Sequence, residues 1–164
     1  TYYFIIGFTN QIFFLIIASS LISIFFTDLN HFYIPLELNI LIFLSSLINY
    51  LIIDYHDLKF HFISMIVILV YFLIIMLLTS YLLRKDTMGY GDIILIGSIT
   101  FWVGFFDSLL IIFFASLFSI IHWLILRVIS NEKVIILPYG TSIALATLII
   151  FILKNTLHIE TYIF

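Results

Sequence analysis

Two aspartates in this chain stand where their carboxyl groups could share a proton. Asp92 ends the sequence Gly-Tyr-Gly-Asp at positions 89–92, directly before an apolar run, and Asp28 ends another apolar run. Two such groups can act together: one activates a water molecule as a base, and the other protonates a carbonyl oxygen. The glycines leave the backbone beside Asp92 free of side chains, so we expect an extended substrate to approach there.

Composition makes these two acids conspicuous. The chain has 164 residues, of which 65% are hydrophobic and 9% charged, whereas about 25% are charged in a typical soluble domain. A carboxylate at bilayer depth costs roughly 2.5–3.5 kcal/mol on insertion scales, so such residues are functional candidates. The chain contains no cysteine, which excludes disulfides, thiolate zinc sites and a cysteine nucleophile. The net charge of −3 does not indicate nucleic-acid binding.

Six apolar segments approach the roughly 20 residues that a helix needs to cross the hydrocarbon core. We therefore predict an all-α, polytopic membrane protein with six transmembrane helices, in which residues 1–164 form a single domain. The predicted helices are Tyr2–Phe26, Ile34–Ile53, Phe60–Leu83, Asp92–Phe105, Leu109–Ile129 and Leu137–Leu153. Pairs of small residues on the last three suggest that these helices form the core and that the first helix completes the site.

The basic residues predict the orientation of the bundle. If the link after the third helix is cytoplasmic, four basic residues lie inside and two outside, which agrees with the positive-inside rule. Asp28 and Asp92 are separated by three helices, so the same orientation places both of them on the cytoplasmic side. The inside set is Arg84, Lys85, Arg127 and Lys133, and the outside set is Lys59 and Lys154.

Three segments resemble the type IV prepilin peptidases, a family that includes the archaeal preflagellin peptidases. Asp28 followed by Ile34-Pro35 is similar to the first catalytic segment of the family, and residues 88–92 resemble its Gly-x-Gly-Asp segment. Leu137-Pro138-Tyr139-Gly140 is similar to a third segment, Pro-Phe-Gly, at the start of the last helix. The order and spacing of the segments agree over nearly the whole chain.

This resemblance implies an intramembrane aspartic endopeptidase of the inner membrane, with Asp28 and Asp92 as its catalytic pair. The implied substrate is a prepilin-like protein with a short basic leader before a hydrophobic helix, cleaved at the cytoplasmic boundary after a glycine. We expect no metal or organic cofactor, since the five histidines show no ligand spacing. The residues expected to line the approach of the substrate are Gly89, Tyr90, Gly91, Pro138 and Gly140.

Two features depart from the family pattern. The family commonly has Lys two residues after the motif aspartate, where this chain has Ile94. Many bacterial members also have a preceding cytoplasmic segment with paired cysteines, linked to N-methylation of the cleaved pilin. Nothing of that kind is present in these residues, so either the chain begins after that segment or the protein is a peptidase only.

Helix dipoles suggest unequal roles for the two acids. Asp92 opens a predicted helix, where the macrodipole favours negative charge, and Asp28 closes one, where it disfavours it. We therefore expect Asp92 to be the ionised base and Asp28 the protonated acid. Three further acids on the predicted cytoplasmic face, Glu37, Asp86 and Glu132, are expected to attract the basic leader.

Other interpretations of the two aspartates are open at this point. Asp28 could be an interfacial acid that caps a turn, and Asp92 could be a helix N-cap, a position that Asp favours. The whole protein could be a proton- or ion-coupled transporter, although inverted repeats typical of such proteins are not visible. It could also be a non-catalytic membrane subunit of a pilus or secretion machine.

Overall fold

A computed structural model describes residues 2–53, 55–85, 88–130 and 137–157, and within these ranges all regular structure is helical. This agrees with the predicted all-α class and with the predicted order of six helices. The helices are α1 (Tyr2–His31), α2 (Leu36–Ile53), α3 (Leu58–Leu83), α4 (Tyr90–Val103), α5 (Phe105–Ser130) and α6 (Tyr139–Leu157).

Three of these helices are long and apolar enough to cross a bilayer. The segments are Gln11–His31 within α1, Leu58–Leu83, which is α3, and Phe105–Val128 within α5. The helices α2, α4 and α6 are apolar but shorter. The three long helices are those expected of a membrane protein, and the crossing of the bilayer by all six helices stays a prediction.

The helix boundaries differ from the predicted ones at two places that bear on the site. α1 continues past Phe26 to His31, so Asp28 lies in its last turn. α5 begins at Phe105 rather than Leu109, because Gly104 alone separates it from α4. α4 has 14 residues, as predicted, although it begins two residues earlier, at Tyr90. At 1.5 Å per residue it spans about 21 Å, against about 30 Å for the hydrocarbon core.

α4 is the central helix of the bundle. It packs against α2, α3, α5 and α6, while α1 packs against α2 and α6. Gly97 faces α3 rather than the predicted core of α4 to α6: a β-carbon there would lie 2.6 Å from Cδ2 of Leu69. The predicted pairing of α5 with α6 is present. The core is therefore built around α4, which packs more extensively against α2 and α3 than against α5 and α6.

The end of α4 opposite Asp92 is held by side chains from two other helices. The hydroxyl of Tyr50 in α2 donates to the carbonyl of Trp102 at 2.6 Å. Nδ1 of His61 in α3 lies 3.0 Å from the carbonyl oxygen of Phe101. The last carbonyls of a helix have no partner within the helix, so these contacts satisfy them and fix the end of α4.

Gly104 makes the turn from α4 into α5, and its replacement by Ala should destabilise the fold. Its backbone has φ 85° and ψ 179°, and a non-glycine residue held in that region costs roughly 1–3 kcal/mol. A β-carbon there would also lie 3.2 Å from Cε1 of His61. We expect Gly104→Ala to lower the thermal unfolding midpoint in detergent.

Gly89→Ala is the matched control for this change. Gly89 has φ −73° and ψ 138°, which any residue can adopt, so this variant should unfold near the temperature of the unaltered protein. Equal midpoints for the two alanine variants would show that the backbone of Gly104 is not constrained.

Candidate active site

Asp28 is a buried carboxylate whose hydrogen bonds come from another helix. Its side chain is 4% exposed, and its Oδ2 accepts a hydrogen bond of 2.7 Å from the backbone N–H of Thr141. The backbone of Gly140 provides a second hydrogen bond. Both donors belong to the first turn of α6, where N–H groups have no partner within the helix and bind anions readily.

The local sequence explains why the start of α6 can reach Asp28. The hydroxyl of Thr141 donates to the carbonyl of Pro138 at 2.6 Å, which closes the first turn. A β-carbon at Gly140 would lie 3.0 Å from Oδ2 of Asp28 and 2.5 Å from Cδ1 of Ile34. Only glycine therefore allows this close approach between α1 and α6.

Asp92 lies in the first turn of α4 and is only partly buried. Its backbone N–H donates to the carbonyl of Gly89 at 3.2 Å, and the backbone of Gly89 forms a hydrogen bond with its carboxylate. A β-carbon at Gly89 would lie 3.2 Å from Oδ2 of Asp92. Gly89 is exposed, so this side of Asp92 is open to the surroundings of the protein.

The structure brings the two aspartates and all three motif segments together. Asp28 and Asp92 are close enough to interact electrostatically. The buried side chain of Ile34 lies between their segments: a β-carbon at Gly91 would be 3.2 Å from Cβ of Ile34, and the same side chain meets Gly140. Ile34 therefore fixes the spacing between α4 and α6 at the site.

Tyr139 belongs to the third motif segment, but it was not among the predicted site residues. Its hydroxyl lies 3.3 Å from Oγ of Ser116 in α5, and it is close enough to Asp92 to interact with it electrostatically. Thr141 was also passed over. For Tyr139 a signal was present, since this chain has Tyr where the resembled motif has Phe. For Thr141 no signal was present, because its backbone rather than its side chain holds Asp28.

The other predicted site residues are distributed around this centre. Pro138 is buried, while Tyr90 is 71% exposed at the start of α4. Glu37 is exposed in the first turn of α2. Asp86 and Glu132 lie outside the described residues.

The role predicted for the glycines changes with these contacts. Gly91 and Gly140 were expected to leave room for a substrate, but the space beside each is filled by Ile34 of the same chain, and by Asp28 at Gly140. Both positions are therefore close packing contacts within the bundle. Among the glycines of the motifs, Gly89 keeps an open side on which an extended segment could lie.

The unequal roles predicted for the two acids rested on the dipoles of α1 and α4 alone. Asp28 does lie in the last turn of α1. The N-terminal N–H groups of α6 also bond to Asp28. Each carboxylate thus meets the N-terminal end of a helix, so the dipoles of their own helices do not decide which one keeps the proton.

This arrangement suits proton sharing. Two carboxylates that repel one another in apolar surroundings are stabilised when one of them holds a proton. Within the described ranges, no group of three or more His, Cys, Asp or Glu residues is placed to hold a metal ion. A water molecule between the two carboxyl groups would have a base on one side and an acid on the other.

Comparison with known protein families gives a match over much of the chain. A family model described as the type IV leader peptidase family matches residues 15–124, about two thirds of the chain. The matched region contains both aspartates and ends before Pro138. No curated protein and no solved structure matches the chain.

The contact between Gly140 and Ile34 can be tested by a double-mutant cycle. Gly140→Ala should destabilise the protein by about 1–3 kcal/mol, the usual cost of overpacking a filled core. Ile34→Val removes Cδ1, the atom nearest to the added methyl group. In the double variant the loss should therefore be smaller than the sum of the two single losses. The measurement is unfolding in detergent, and strictly additive losses would contradict the contact.

Proposed function

Because the chain belongs to the type IV leader peptidase family, we propose that it is an intramembrane aspartic endopeptidase with Asp28 and Asp92 as its catalytic pair. The observation that carries the proposal is the meeting of these two acids, which lie on α1 and α4 and interact across the bundle. The substrate is a prepilin-like protein, and the bond cleaved lies between its basic leader and its hydrophobic segment.

The hydrogen bond to α6 suggests how the pair divides the work. A donor 2.7 Å from Oδ2 of Asp28 favours negative charge on that carboxylate, so the shared proton resides on Asp92. Asp28 takes a proton from water as the oxygen attacks the scissile carbonyl, and Asp92 gives its proton to the carbonyl oxygen. Collapse of the tetrahedral intermediate then breaks the C–N bond: Asp28 gives its proton to the leaving amine, and Asp92 takes one back from a hydroxyl group of the intermediate, which restores the starting pair. These roles reverse those suggested by the dipoles of α1 and α4.

The placement in the membrane belongs to the same proposal. All six helices cross the inner membrane, and the pair faces the cytoplasmic side, as the basic residues indicate. We place Asp92 below the membrane surface, in a recess that water can enter; α4, shorter than the hydrocarbon core is thick, supports this. Lipid surrounds the bundle, and the reaction requires no cofactor.

The basic leader is recognised by charge. Glu37 is exposed at the start of α2, and Asp86 and Glu132 belong to links on the same proposed face. Their attraction for the leader should weaken with salt, since the Debye length is about 8 Å at physiological ionic strength. Neutralising the three acids should raise the Michaelis constant for a substrate with a basic leader and leave it unchanged for one with a neutral leader. Equal effects on the two substrates would contradict the electrostatic explanation.

The proposed catalytic pair predicts how substitution of either aspartate affects cleavage. Asp28→Asn and Asp92→Asn should each abolish cleavage of a prepilin-like substrate, because each removes one of the two carboxyl groups that share the proton. The double variant should be hardly worse than either single one, since residues that act as a unit are not additive. Cleavage by purified protein is followed by the mass of the substrate.

Asp107→Asn is the matched control for these changes. Asp107 is paired with Lys154, near the end of α4 opposite the site, so its loss should leave turnover near normal. Near-normal turnover by Asp28→Asn would show that the catalytic pair is wrongly assigned. A transporter or a non-catalytic subunit would cleave nothing even when unaltered.

The backbone donor to Asp28 can be removed without changing that residue. Thr141→Pro deletes the N–H, and proline is tolerated in the first turn of a helix. We expect turnover to fall by about 10- to 100-fold, since hydrogen bonds to charged groups are worth about 1.5–3 kcal/mol. Thr141→Ala loses the hydroxyl but keeps the N–H, and should cleave far better. Equal turnover in the two variants, both folded by their unfolding midpoints, would contradict a role for the donor.

A further inference from the structure

A groove runs between α2, α3 and α4. It has a volume of about 270 Å³ and an almost entirely apolar lining that includes Ile40, Phe43, Leu69 and Ile94. On α4 its lining begins at Ile94 and continues to Ser98. At 1.5 Å and about 100° per residue, these positions lie roughly 3–9 Å along the helix from Asp92 and on a different side of α4. An extended chain spans up to about 3.3–3.6 Å per residue, so a few substrate residues would connect this groove with a scissile bond held at the catalytic pair.

One polar side chain in this groove lacks a partner. Asn39 lines the groove from the first turns of α2 and is 1% exposed. Within the part of the chain that the structure describes, neither its Oδ1 nor its Nδ2 has a hydrogen-bond partner. Burying an amide without partners costs free energy, so native proteins rarely do it. A rotation of the side chain would turn this unpaired donor and acceptor into the groove.

We propose that this groove receives the hydrophobic segment of the substrate, just beyond the scissile bond, and that Asn39 hydrogen-bonds one of its peptide units. The proposal rests on the peptidase function proposed above. Nδ2 donates to a substrate carbonyl, and Oδ1 accepts from a substrate N–H. The apolar walls take the side chains of the segment.

The chemistry of the groove favours a peptide over a lipid chain. A substrate helix must open near the bond that is cut, which frees backbone N–H and C=O groups in apolar surroundings. Where such groups leave the recess that water can enter and lie in the apolar groove, the protein must supply their hydrogen-bond partners. An amide side chain offers one donor and one acceptor to a peptide unit, whereas an acyl chain could use neither.

Replacing Asn39 by Leu tests whether this residue acts in substrate binding or in the stability of the fold. Leu has the same number and branching of side-chain heavy atoms and removes the unpartnered amide. Its larger volume can extend into the adjoining groove, so the unfolding midpoint should stay level or rise. The Michaelis constant for a substrate that contains its hydrophobic segment should nevertheless rise by about tenfold, because its hydrogen bonds to the amide are lost. A structural role for Asn39 would instead lower the midpoint.

Asn49→Leu is the matched control. Asn49 lies further along the same helix, outside the groove lining, and its Oδ1 also lacks a partner in the described ranges. This variant should leave the Michaelis constant unchanged. An unchanged constant for Asn39→Leu, in a protein that cleaves, would overturn the groove proposal and leave the peptidase function intact. Absence of cleavage by the unaltered protein would refute the peptidase function itself.

A photo-crosslinking amino acid at Ile40 identifies the occupant directly. The experiment uses the Asp92→Asn variant, so that a prepilin-like substrate binds and stays uncut. We expect adducts on the hydrophobic segment of the substrate, and fewer of them when Asn39→Leu is added. The exposed position Ile48 of α2, outside the groove lining, serves as the control. Adducts with lipid alone, or equal substrate adducts from both positions, would overturn the proposal.

Discussion

The hydrogen bond between Asp28 and the start of α6 is the constraint from which the rest of the bundle follows. A carboxylate that is 4% exposed in an apolar protein must find donors, since an unpaired buried charge is costly. Here the donors are backbone N–H groups that the helix leaves free in any case. This solution requires that α6 begin beside Asp28, and only a glycine at position 140 permits that distance.

The position of Asp92 depends on α4 being held at both ends. Near Asp92, Gly91 packs against Ile34, which also contacts Gly140. At the opposite end, Tyr50 and His61 bind the last carbonyl groups of the helix. Aromatic and aliphatic packing alone would leave a short apolar helix free to slide along its neighbours. These polar contacts at its far end resist that movement, so the two aspartates keep their separation.

Much of the fold could be predicted from the sequence, because apolar runs separated by polar links indicate helices directly. The class, the order of the helices and the length of α4 follow from that pattern, and the shared position of Asp28 and Asp92 follows from counting helices. The hydrogen bond from Thr141 could not be predicted, since a backbone N–H leaves no trace in residue type. The neighbours of Gly91 and Gly97 could not be predicted either: small residues indicate close packing without naming the partner. The unpartnered amide of Asn39 becomes notable only once its surroundings are known.

The fixed length of α4 limits how this protein can change. The helix begins two residues before Asp92 and ends at Val103, with Gly104 alone before α5. Inserting or deleting one residue between Asp92 and Gly104 would rotate the carboxylate by about 100° and shift it by about 1.5 Å. A point substitution along this helix alters packing locally, whereas a change in its length moves Asp92 away from Asp28. The spacing between these two residues therefore tolerates less change than the identity of most residues within it.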